Sequence, residues 1–121
     1  MTGLRGMRFV QRVQDSLLAR RLAEAGWKMS RSGSEEEEKD YGDDDSGRRA
    51  IAVFECGFLF WQRNQDTLHL YQSRFRDAWA LSVNGRRTTL TRLMVEIGKV
   101  DDARFLHALL DEIETLCLEK R

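Results

Sequence analysis

Apolar residues first recur with helical spacing near the start of the chain. Leu4, Met7, Val10, Val13, Leu17, Leu18, Leu22 and Ala25 stand three or four positions apart, or beside such positions. That period predicts an amphipathic helix over residues 4–28, with Arg8, Arg12 and Asp15 away from the centre of its stripe. Gly26 and Trp27 mark its end. Residues 30–48 carry almost no apolar side chain and combine Ser and Gly with a block of acids. Such a composition buries too little surface to offset its ordering entropy, so a flexible acidic loop is expected there.

The pattern then changes. Residues 49–62 form the most hydrophobic run, rich in the aromatic and β-branched types that favour a strand; Gly57 within it suggests a bulge or bend. Asn64, Gln65 and Asp66 supply a turn, residues 67–72 alternate as a second strand, and Ser73–Asp77 form a polar connection. Residues 78–83 read as a third strand. Asn84-Gly85 is a strong hairpin signal that returns the chain as a fourth strand from Arg86 to about Leu90. Residues 88–97 fit either period, and a short strand followed by a helix beginning near Thr89 and broken at Gly98 is expected. In residues 101–119, Phe105, Leu106, Leu109, Leu110, Ile113, Leu116 and Cys117 fall in an apolar sector of ~140°. Asp101 and Asp102 precede that helix, and Lys120 and Arg121 follow it, as its dipole favours. The expected fold is α+β: an N-terminal helix, a four-stranded antiparallel meander and one or two C-terminal helices, forming a two-layer sandwich.

Strand periodicity also carries the functional expectation. In residues 49–62, Ile51, Val53, Leu59 and Trp61 point to one side, and Ala52, Phe54, Cys56, Phe58 and Phe60 to the other. Both sides are largely apolar. The third strand repeats this less strongly, with Trp79 and Leu81 opposite Ala78 and Ala80. An antiparallel sheet with helices on one side should be polar on its other side. Either the first and last helices cover both sides, or something external covers one. The second reading makes Val53, Leu59, Trp61, Trp79 and Leu81 the apolar anchors of a partner-binding surface, with Arg74 and Arg76 at its rim.

The length of 121 residues suits a single domain spanning 1–121. Charged residues make up 33%, above the usual quarter, which implies a heavily solvated exterior. Net charge is zero but unevenly placed: residues 1–34 carry seven bases and two acids, while residues 35–45 carry eight acids and Lys39. Cys56 and Cys117 make no disulfide framework and are expected as free thiols in a reducing compartment, cytoplasmic or nuclear. The basic, amphipathic N-terminus mildly resembles a mitochondrial presequence, although Asp15 and Glu24 interrupt it. No apolar run reaches the ~18 residues that a membrane span requires.

No phosphate-binding loop, dinucleotide fingerprint, zinc-protease or nucleophile-elbow motif occurs. His69 and His107 have no second ligand at metal spacing. The acidic block has oxygen ligands but not the glycine placement of a calcium loop. Cys56 and His69 could approach across the first hairpin, yet apolar neighbours leave the thiol unactivated. Ser46, beside Asp43–Asp45, is a modification site only at the level of composition. The expectation is therefore a non-catalytic protein–protein interaction module without cofactor or metal: an adaptor, an assembly subunit or a chaperone-like binder. Its partner is another protein or a second copy of the chain. The alternative is a nucleic-acid-binding domain using Arg86, Arg87 and Arg92 with Tyr71 and Phe75, because bases stack on rings beside a charged track. Neutral total charge weighs against that alternative.

Overall fold

The computed structural model describes residues 4–119. Lys120 and Arg121, expected beyond the last helix, lie outside the described residues. The chain runs α1 (Leu4–Gln14), α2 (Leu17–Glu24), β1 (Lys28–Asp43), β2 (Arg49–Arg63), β3 (Asp66–Gln72), β4 (Ala78–Val83), β5 (Arg86–Arg87), β6 (Val95–Glu96) and α3 (Ala103–Glu119). Two short 3-10 turns, Thr89–Thr91 and Ile97–Asp101, flank β6. The fold is α+β with an antiparallel sheet, larger than the four strands expected.

The expected first helix is two helices. Ser16 adopts an extended conformation, and its hydroxyl accepts from Ala19 N at 3.3 Å and donates to Val13 O at 2.6 Å. That side chain starts α2 as an N-cap. Asp101, read from sequence as serving the last helix, instead accepts from Leu17 N at 2.9 Å and pairs with Arg12 at 2.5 Å. Asp102 takes the capping role at α3, accepting from Phe105 N at 3.1 Å.

The largest correction concerns residues 30–48. Residues 28–43 are strand β1, paired antiparallel with β2 from Lys28↔Gln62 to Asp43↔Arg49. Counting apolar side chains missed the backbone hydrogen bonds that a long neighbouring strand offers. The register shifts twice, between Met29 and Arg31 and between Asp40 and Asp43, and the turn follows the second shift. There Asp44 Oδ1 accepts from Ser46 N (2.9 Å), Ser46 Oγ (2.7 Å) and Arg48 N (2.8 Å), and Gly47 takes φ +80°. Asp40, paired with Arg49, and Asp44 both keep carboxyls below their usual range through these hydrogen bonds.

β3 meets β2 only over Phe58–Arg63. The outer part of the β1–β2 hairpin therefore projects as a two-stranded ribbon, on which Tyr41, Ile51 and Val53 are exposed. No register shift occurs at Gly57, contrary to the expected bulge. Its bareness serves packing, because α1 crosses the sheet there. A methyl group at Gly57 would stand 2.8 Å from Phe9 Cδ2 and 3.1 Å from Val10 Cγ2, and closer still to the Gly6 carbonyl.

Beyond the Asn84-Gly85 turn, where both residues take positive φ, the expected fourth strand lasts two residues, and a 3-10 turn stands where an α-helix was expected to begin near Thr89. β4 instead borrows its outer neighbours from two short pieces, β5 at Ser82–Val83 and β6 at Ala78–Trp79. Between them Thr91 takes the place of a strand: its hydroxyl accepts from Leu81 N at 3.0 Å and donates to Leu81 O at 3.2 Å.

One core joins all of this. Phe9, Val13, Leu18 and Leu22 from the first two helices, and Leu106, Leu109 and Ile113 from α3, pack against Leu59, Trp61, Leu68, Leu70, Trp79 and Leu81. Every sheet residue in that cluster lies on one face. Arg63 ties the layers together, donating to Glu114 at 2.6 and 3.0 Å and to Ala25 O at 3.1 Å, and standing over the Trp27 ring. Glu114 raises the Arg63 pKa further.

Candidate functional site: the helix-free face of the sheet

The face away from the helices carries a row of rings. Register places Phe58 opposite Tyr71 and Phe60 opposite His69. Phe60 and His69 stack in parallel with centroids 4.2 Å apart, Phe58 meets Phe60 edge-on at 5.8 Å, and His69 lies 4.9 Å from Tyr71. Each of the four is half-buried. Such cross-strand aromatic pairs stabilise a sheet in their own right.

A guanidinium closes each end of the row. On β1, Arg31 stands 4.7 Å from the Phe60 centroid and 5.3 Å from that of Phe58, within cation–π range. Gly33, opposite Phe58, leaves room for the ring: an added Cβ would lie 3.2 Å from Phe58 Cζ. On β5, Arg87 donates from Nε to the Tyr71 hydroxyl at 2.9 Å and again from its terminal nitrogen, and it donates to Arg92 O at 2.9 Å. Burial holds the His69 pKa below its ordinary value; Arg31 lowers it further and Glu35 opposes.

A shallow depression of about 370 Å³ opens at one end of the row, among Glu35, Cys56, Phe58, His69, Tyr71 and Arg74. Cys56 and His69 share this depression. The thiol, however, contacts Arg5 (3.7 Å) and Ser73 O (3.8 Å), while His69 contacts rings. Phe54 extends the face outward, edge-on to the exposed Phe75 at 5.2 Å. A second depression of about 610 Å³ lies on the helix side beside Arg5, Arg8 and Arg12. Arg5 is committed there to the carbonyls of Glu55, Ser73 and Arg76, and Arg12 to Asp101. No group of three or more His, Cys, Asp or Glu placed to hold a metal occurs among the described residues. Nor is any helix there long and apolar enough to cross a membrane. Cys56 and Cys117 are free, and burial raises the Cys117 pKa.

The structure separates the residues that sequence grouped. Leu59, Trp61, Trp79 and Leu81 are at most 2% exposed and belong to the core. The face they define is covered by the chain's own helices and offers no surface. Val53 shares their side of β2 but lies on the projecting ribbon, 55% exposed. Arg74 borders the depression on the open face, whereas Arg76 donates to Met94 O at 2.7 Å and lies 3.7 Å from Glu96. Arg86 and Arg87 point to opposite faces: Arg86 pairs with Glu119 of α3 at 3.0 Å, and Arg87 joins Tyr71. Arg92 is exposed near Arg87, and Phe75 lies across the face from them, against Phe54. Arg31, Phe58, Phe60 and His69 join the row without having been among the expected binding residues. The missing signal was the alternation of β3: Leu68 and Leu70 point inward, so His69, Tyr71 and the β2 residues on their side point outward.

Compared with known proteins, the chain matches no family model, no curated protein and no solved structure.

Proposed function

We propose that this protein is a non-catalytic interaction module that holds a segment of another protein on the helix-free face of its sheet. One observation carries the reading: all the helices pack on one face, and the other bears Phe58, Phe60, His69 and Tyr71 in an unbroken, half-exposed row. Aromatic side chains are the usual anchors of protein interfaces, since they bury much area at little cost in rotamer entropy. Arg31 and Arg87 at the two ends favour a segment with apolar side chains in the middle and carboxylates on the flanks.

A second reading has specific support. Stacked rings between two guanidinium groups also suit unpaired nucleic-acid bases and their phosphates, and Tyr71 and Arg87 were expected in that role. Glu35 beside the row and the neutral total charge favour the protein reading.

A photo-crosslinking amino acid placed at His69, with a control at the exposed His107 of α3, separates the readings. The expected result is one discrete protein adduct at position 69. Purified, that partner should bind the wild-type chain and bind at least about tenfold more weakly after Arg31→Glu or Arg87→Glu, as like charges replace opposite ones. Adducts with RNA or DNA instead would favour the second reading. Equal capture at positions 69 and 107 would contradict both.

A further inference from the structure

Strand β1 ends the sheet, and among the described residues its outer edge has no strand partner. A bare edge templates further pairing. Natural edges are blunted by proline or by charge, and this chain contains no proline. Over residues 28–38 the charges of β1 are sorted: Lys28 and Arg31 precede Gly33, and only acids, among them Glu35, Glu36 and Glu38, follow it. None of these five pairs with an opposite charge among the described residues. Arg49 and Arg63 of β2, Arg76 of the β3–β4 connection and Arg86 of β5, by contrast, do find carboxylates.

We infer that β1 pairs antiparallel with β1 of a second copy, about a two-fold axis at Gly33. In that register Arg31 of each copy faces Glu35 of the other, Ser32 faces Ser34, and Gly33 faces itself. Directly opposed residues of an antiparallel pair lie on the same face, within reach of each other's side chains. Arg31 and Glu35 meet that requirement, since their β2 partners Phe60 and Cys56 share the open face. Both are exposed. The small residues at the centre let the backbones close up.

Three other registers fail. An axis at Glu35 opposes two glutamates, an axis at Arg31 opposes two arginines, and an axis between Gly33 and Ser34 sets Arg31 against Glu36, which lies on the opposite face. The irregularity between Met29 and Arg31 limits the ladder to Arg31–Glu35, a length of ordinary strand pairing. Such a two-fold stands perpendicular to the sheet. It therefore leaves both aromatic rows on one side of a single continuous sheet. The pairing stands whatever the open face binds.

Sedimentation equilibrium over a concentration series tests it. The wild-type chain should approach twice its 14.1 kDa mass. Arg31→Glu and Glu35→Arg each set like charges against each other across the axis. Each should raise the dissociation constant at least about tenfold. The double variant Arg31→Glu/Glu35→Arg restores opposite charges and should recover the dimer. Both positions are solvent-facing, and circular dichroism confirms that each variant is folded; if one single variant fails, the other and the double variant decide. A wild-type monomer throughout the series overturns the inference. So do folded single variants that dimerise as tightly as the wild type, or a double variant that stays monomeric.

Discussion

His69 shows how one side chain couples the stability of the fold to its open face. Its ring stacks on Phe60 and neighbours Tyr71, and burial makes the protonated form costly. Its folded pKa is therefore below the unfolded value of about 6.5. Above that value both states are neutral and the full contribution of the site is present. As pH falls from there through the lower folded pKa, the unfolded chain takes up the proton first, so stability is lost. Urea midpoints measured between pH 8 and pH 5 should decline for the wild type, and the His69→Phe variant should lose part of that slope. An identical slope in the two proteins would mean that the imidazole is not buried among the rings. The same residue marks what sequence could have revealed. A two-residue turn after Arg63 sets Trp61 against Leu68 and Leu59 against Leu70. The clean alternation of β3 thus assigns the inner face of β2, where β2 alone, apolar on both sides, does not. Read alone, β2 put the docking anchors on the inner face.

Among the elements, β2, β3, β4 and the body of α3 were legible, because each carries a strong period of its own. β1 was not, because what holds it is the neighbour's backbone and a turn built by Asp44, neither of which leaves an apolar pattern. The division of α1 from α2 was hidden for a related reason: the apolar stripe continues across Ser16, and the cap is completed by Asp101, far along the chain. The segment after Arg87 has a helical stripe on paper. It instead follows the edge of β4, where a threonine hydroxyl supplies the hydrogen bonds a strand would have given. The packing of α1 on the sheet turns on Gly57. α1 reaches the sheet only because β2 has no side chain at that point, so Gly57→Ala should destabilise the fold by about 1–3 kcal/mol, the usual range for overpacking a tight contact. Chemical denaturation reads this directly, and an unchanged midpoint would show that α1 has room to spare.

For the molecule as a whole, one side of the sheet is sealed by helices and the other carries none. Three helices, the core tryptophans and the aliphatic residues of β2–β4 account for the sealed side. The aromatic row and its two arginines make up the other. Both the proposed docking function and the proposed pairing through β1 use this arrangement, the first across the open face and the second along its edge. Hydroxyl-radical footprinting of the purified chain, read by mass spectrometry, measures it most directly, since indoles react at least as readily as phenyl and phenol rings when water reaches them. Phe60, His69 and Tyr71 should be strongly labelled, and Trp61 and Trp79 protected. Labelled tryptophans beside protected Phe60 and Tyr71 would mean that the helices cover the other face.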